Sequence, residues 1–148
     1  MYMSKPVSAW PSLTIHWTLD PNEWVYSFDG ELPDWVKNDV PILGWAPIAE
    51  IHNHLVINSK VNNSQEFWEG AAEDKAENVI SGWAIAKPMS PPILMLWPPR
   101  TLDEIVLAGG NHRFNVANLA GGKHIPFLAI YSHKAGLTAL LPSVVWLP

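Results

Sequence analysis

The sequence predicts an α+β domain: a small mixed sheet with helices packed on it, preceded by a Pro- and Trp-rich N-terminal extension. Three observations carry this. Apolar or β-branched runs alternate with amphipathic stretches in the order β, α, β, β, α, β, α, a pattern that suits a mixed sheet covered by helices. Pro or Gly pairs stand at several of the junctions, as in "SPPI", "WPPR", "AGGN" and "AGGK". Hydrophobic residues make up 48% of the 148 residues and charged residues 16%, a globular balance with enough chain for one buried core.

In chain order, residues 1–50 form the extension and 51–148 the domain. Within the extension "SLTIHWTL" alternates like a strand and "ELPDWVKN" suits one helical turn. Trp10, Trp17 and Trp24 recur every seven residues, but Pro11 and Pro21 break any continuous heptad helix. Residues 50–61, "EIHNHLVINSKV", read as a strand on their branched content. Asn63 and Glu66 make a capping pair for a helix running to about Ser81, with Phe67, Trp68, Ala71, Ala72, Val79 and Ile80 as its apolar contacts and Gly82 as its stop. Glu66, Glu69, Glu73, Asp74 and Glu77 give that helix an acidic, solvated face.

Residues 91–99, "PPILMLWPP", read as a short strand between proline pairs, which places Trp97 in the core. "DEIVLA" is its hairpin partner. A helix follows over "HRFNVANLA", with Phe114, Ala117 and Leu119 or Ala120 facing the sheet and Gly121 and Gly122 ending it. "HIPFLAIY" supplies the next strand, and "SHKAGLTALL" a last short helix ended by Pro142.

Charge and composition exclude several classes. A net charge of −5 draws no phosphate backbone to the surface as a whole, so DNA is not an expected partner. With no cysteine there is no disulfide framework, thiolate nucleophile or Cys-based zinc site. The N-terminus lacks a signal-type apolar run, and the C-terminal apolar tail, broken by Pro142, is far shorter than the roughly 20 residues of a membrane helix. A cytoplasmic protein without membrane contact is the expectation.

The stretch "LAGGNHRFNVANLAGG" (residues 107–122) carries the chemistry. Asn111 is a good N-cap, and the amides after it are helix-start donors without intrahelical partners. His112 and Arg113 fall in the first helical turn, where the helix dipole disfavours a cation by roughly 0.3–1 kcal/mol. That placement makes sense if an anion sits at the turn. Phosphate suits it, because guanidinium grips two oxygens at once. The bland alternative is an ordinary strand-to-helix joint with Arg113 reaching solvent.

The ordered set "PPILMLW", hairpin, "GGNHRF", helix and "IPFLAI" resembles the ParB/sulfiredoxin superfamily, and its sulfiredoxin branch most. The resemblance spans about residues 65–131. It implies a ParB/sulfiredoxin-like fold and nucleotide binding, with His112 and Arg113 holding phosphates and Gly109 and Gly110 allowing close backbone approach. It also implies a lysine sixteen residues before the Pro-Pro pair, Lys75, that reaches the nucleotide. Asn78 stands where the family has a hydroxyl side chain. Asn111 replaces the family's nucleophilic cysteine, so sulfiredoxin chemistry is lost, since a carboxamide does not attack phosphorus.

The ligand implied is ATP or CTP, alone or with Mg2+, and any activity is that of a nucleotide hydrolase or phosphotransferase with unassigned catalytic residues. Two alternatives stand beside it. One is a non-catalytic interaction module that binds a protein partner through residues 1–50. The other is a ParB-like nuclease or DNA-partition accessory, against which the acidic charge speaks.

The remaining histidines, carboxylates and tryptophans suit plain structural roles as well as functional ones. His52 and His54, two apart on the expected strand, share a face but lack a third ligand, so no metal is expected. His16, His124 and His133 read as isolated surface or core residues. Glu50 and Glu31 are of the type that positions water for phosphoryl transfer, yet both read as solvated loop carboxylates. Nine tryptophans suit either core and cover for the extension or, at Trp10, Trp17, Trp24 and Trp35, exposed anchors.

Overall fold

The computed structural model describes residues 2–22 and 38–148; Glu31, Trp24, Trp35 and most of "ELPDWVKN" lie outside them. Five strands form one mixed sheet: β1 Pro41–Pro47, β2 Ile93–Trp97, β3 Glu104–Gly109, β4 His124–Ile130 and β5 Val145–Trp146, in the order β3-β2-β4-β1-β5. β1 runs antiparallel to β4 from Pro41↔Ile130 to Pro47↔His124. β2 and β3 form the expected hairpin, and β2 meets β4 in parallel at Ile93↔Leu128. The α+β class holds.

Strand β1 lies inside the first 50 residues, so the sheet takes a near-central strand from the stretch expected to be extension. Its two prolines sit at the strand's ends, where a missing N–H costs no ladder bond. Gly44 has a reason of its own. A Cβ there would overlap the Phe127 ring on the neighbouring strand, and Phe127 in turn packs edge-on against Trp146 at 5.4 Å. Pro126 falls within β4 without loss, because Leu128 N–H already bonds to Pro92 O at 2.8 Å and Pro126 faces the same side before β2 begins.

The expected strand over residues 50–61 is instead helix α1, Ile48–His54, followed by a 3-10 turn, Ile57–Ser59. Pro47, with φ −60° and ψ 134°, sets the chain up for a helix start, and Ile48 N–H bonds to Lys123 O at 2.8 Å. Ile48, Ile51 and Leu55 are buried, a spacing of three and four that belongs to a helix rather than to strand alternation. Branched content misled because tertiary context overrides a weak propensity.

The expected single helix over 63–81 is two: α2 Ser64–Gly70 and α3 Glu73–Ala84. Ala71 and Ala72 are extended, with ψ 148° and 108°, and Gly70 ends the first piece. Gly82 does not stop α3; it lies inside it and leaves room for the Met89 methyl. The start is as expected: Asn63 Oδ1 accepts from Glu66 N–H at 2.9 Å, and Glu66 Oε2 from Asn62 N–H at 2.8 Å. Asn63→Ala should therefore lower unfolding free energy by about 1 kcal/mol in urea titration.

Helix α4, Asn111–Leu119, buries Phe114, Asn115, Val116 and Ala117; Leu119 is only half-buried and Ala120 exposed. Helix α5, Lys134–Leu140, closes the helical set. The core sits between these helices and one face of the sheet, with Trp83, Phe114 and Phe127 wholly buried. Trp97 is not core: it is 48% exposed, since Leu94 and Leu96 take the inward positions of β2 and Trp97 alternates outward. Among the described residues no helix is long and apolar enough to cross a membrane.

Residues 2–18 run along α2 and α3. Trp10 packs edge-on to Phe67 at 5.9 Å, and the Trp10 and Trp68 indole N–H groups both donate to Lys5 O. Further on, Thr14 N–H bonds to Trp83 O, Met89 N–H to His16 O and Thr18 N–H to Met89 O, with Trp17 edge-on to Trp83 at 5.0 Å. The alternating "SLTIHWTL" segment is thus extended, pairing by a single bridge, Trp17↔Met89. Trp10 and Trp17 serve as cover.

One titratable contact bears on stability. His133 accepts a hydrogen bond on Nδ1 from Leu96 N–H at 3.2 Å. Partial burial holds its pKa below the usual 6.5, with Asp39 opposing the shift. A depressed folded-state pKa means the unfolded chain takes up the proton first. The contribution is complete above pH 6.5 and drains away as pH falls below it. His133→Gln should flatten the fall in stability between pH 7 and about 5, measured by urea titration.

Candidate active cleft

Strand β3 runs into α4 through Gly109 and Gly110. Gly110 is left-handed, at φ 75° and ψ 26°, and is the N-cap residue; Asn111, expected there, is instead the first helical residue. Its carboxamide oxygen lies along the helix, accepting from Asn115 Nδ2 at 2.9 Å. Gly110 has no side chain with which to cap the first-turn amides of α4. A Cβ on Gly110 would come within 2.7 Å of Pro92 Cα and 2.9 Å of Arg113 Nη2, so the guanidinium lies directly over the turn.

His112 Nε2 accepts a hydrogen bond from Ala72 N–H at 3.1 Å. An imidazole that accepts at Nε2 carries its proton on Nδ1 and is neutral. The positive end of α4 therefore faces one cation, Arg113, rather than two, and the dipole penalty expected from the sequence is halved. Because Ala72 is the N-cap residue of α3, the same bond brings the start of α3 beside the start of α4. Lys75 stands in the first turn of α3, next to that junction.

These elements enclose a cleft of about 760 Å³ lined by Lys75, Asn78 and Val79 of α3, residues 87–90 of the following loop, residues 107–113 of β3 and α4, and Thr18. All six residues singled out from the sequence, Lys75, Gly109, Gly110, Asn111, His112 and Arg113, line it together. Lys75, Lys87 and Arg113 make it cationic, with no carboxylate among the described lining residues, although the chain carries a net charge of −5. Two other hollows, of about 510 and 360 Å³, hold Glu66 and Glu104, or Glu69, and do not suit an anion.

Sequence reasoning missed Lys87, Ser90 and Thr18. Lys87 and Ser90 sit in a proline-rich loop without a recognisable motif, and Thr18 reaches the cleft only because residues 14–18 bond to that loop. The strand-like alternation of residues 12–19 was the available signal. Glu50 does not reach the cleft. Its Oε1 accepts from Ser143 N–H at 3.0 Å, and hydrogen bonding to Ser143 leads the causes that lower its pKa. His52 and His54 lie on helix α1, where a two-residue step turns side chains about 200° apart, and His52 Nε2–H donates to Val61 O. Among the described residues no group of His, Cys, Asp or Glu is arranged to hold a metal. No family model, curated protein or solved structure matches the chain.

Proposed function

We propose that this chain is a nucleotide-binding protein of the ParB/sulfiredoxin-like type, holding the phosphates of a nucleoside di- or triphosphate such as ATP or CTP at the Gly109–Arg113 turn. The observation that carries the reading is the cationic cleft, into which a left-handed glycine turn, helix-start amides, Arg113 and Lys75 all converge. Guanidinium supplies a two-pronged grip, the lysine a point charge, and the amides fixed partial charge. Neutral His112 acts as a strut between α3 and α4.

Binding is better supported than turnover. The described cleft residues offer cations and hydroxyls, with no carboxylate to activate water or to hold an accompanying Mg2+. Hydrolysis or phosphoryl transfer would be a further step on the same site. The use of Trp10 and Trp17 as internal cover weakens the alternative of a Trp-based docking module.

Thermal unfolding with ATP, CTP and ADP tests the reading. At 100 times Kd a native-state ligand adds about 2.7 kcal/mol, roughly 5–10 °C in Tm for a domain of this size. Arg113→Ala should lose most of that shift. No shift with any nucleotide, or an equal shift in the variant, contradicts the proposal.

A further inference from the structure

Lys75, Asn78, Val79 and Gly82 follow one another on α3 at steps of three, four and seven from the first, and so share one face. Lys75 stands at the end of that face beside the phosphate turn. Gly82 stands at the other end, about 10 Å further along the helix axis. The Met89 methyl fills the space directly over Gly82, and beside it runs the stem of Lys87, whose Cδ and Cβ come within 3.7 and 3.8 Å of a Cβ built on that glycine. The loop that presents Lys87 is fixed. Ala86 is left-handed at φ 57°, Lys87 N–H bonds to Gly82 O at 2.9 Å, and His16 Nδ1–H donates to Ala86 O.

The cleft wall thus has Lys75 near one end of this helix face and the stem of Lys87 near the other. Asn78 and Val79 lie between them on the helix, and Met89 and Ser90 also line the cleft. Ser90 is 6% exposed, and its hydroxyl takes no hydrogen bond from or to another described residue. A hydroxyl with that capacity left over on an otherwise buried residue, in the wall of a cleft, marks a place for a polar group of a ligand.

We propose that the cleft prefers a nucleotide phosphorylated on both sides of its sugar, of the nucleoside 3′,5′-bisphosphate class. The 5′ phosphate sits at the Gly109–Arg113 turn, the second phosphate meets Lys87, and the sugar spans Ser90 and Asn78. This rests on the nucleotide reading above for the first phosphate, and adds Lys87 as the group that selects the second.

Adenosine 3′,5′-bisphosphate and ADP carry the same two phosphates in different places, so comparing them isolates position from charge. Isothermal titration of the full chain should give about tenfold tighter binding of the bisphosphate. In Lys87→Gln, with folding checked by its unliganded melting curve, the ratio of the two affinities should fall to about one. Equal affinities in the unaltered protein, or a preference that survives Lys87→Gln, overturns this inference while leaving the nucleotide reading in place. Binding of neither compound overturns both.

Discussion

Trp83→Ala should cost about 3–5 kcal/mol, the range for removing a large buried aromatic. That is a large share of the 5–15 kcal/mol that holds a typical domain folded. Trp83 is wholly buried, packs edge-on to Trp17, and donates from its indole N–H to His16 O at 3.2 Å. Truncation opens a cavity, removes the surface on which Trp17 rests and leaves the His16 carbonyl with Met89 N–H as its one remaining donor among the described residues. Residues 14–18 should then detach, taking Thr18 from the cleft wall. Urea titration should show the loss of stability, and limited proteolysis should show new cleavage near residues 14–18. A variant that loses under 1 kcal/mol would mean that this tryptophan does not anchor the N-terminal segment.

Gly110→Ala is expected to damage both fold and site. A left-handed backbone costs a non-glycine residue roughly 1–2 kcal/mol, and the new methyl would stand 2.7 Å from Pro92 Cα and 2.9 Å from Arg113 Nη2. Backbone does not yield easily, so overpacking adds about 1–3 kcal/mol. The guanidinium must move, and the nucleotide-induced shift should vanish with it. Gly121→Ala is the matched control. Gly121 is also left-handed, at φ 88°, but a Cβ there meets nothing within 4 Å, so its cost should stay near the backbone component. Equal losses at the two glycines would show that close packing at the turn has no part in the effect.

The sequence was most legible where local chemistry and tertiary packing agree. The β2–β3 hairpin, the glycine turn, α4 and β4 lie where Pro and Gly punctuation places them, because those residues restrict the backbone directly. Legibility failed over residues 41–61. There the strand hides between two prolines and the helix among branched residues, and only burial against β4 and the core decides between them. Trp97 misled in the same way, since a strand has two faces and its sequence does not say which one the helices cover. At the cleft, the six residues were readable because five of them are consecutive, in a helix start and its glycine lead, and the resemblance pointed to Lys75. Lys87 and Thr18 were not: Lys87 stands in a proline-rich loop without a motif, and Thr18 reaches the cleft through a backbone bond to Met89, about seventy positions away in the chain.

A crystal structure of the protein grown with ADP would show directly whether the turn holds phosphate. Phosphate oxygens are expected within hydrogen-bonding distance of the Gly110–His112 amides and the Arg113 guanidinium, with the Lys75 ammonium beside them and the His112–Ala72 bond intact. Phosphates bound elsewhere, or a cleft closed by a carboxylate of the protein clasping Arg113, would contradict the nucleotide reading.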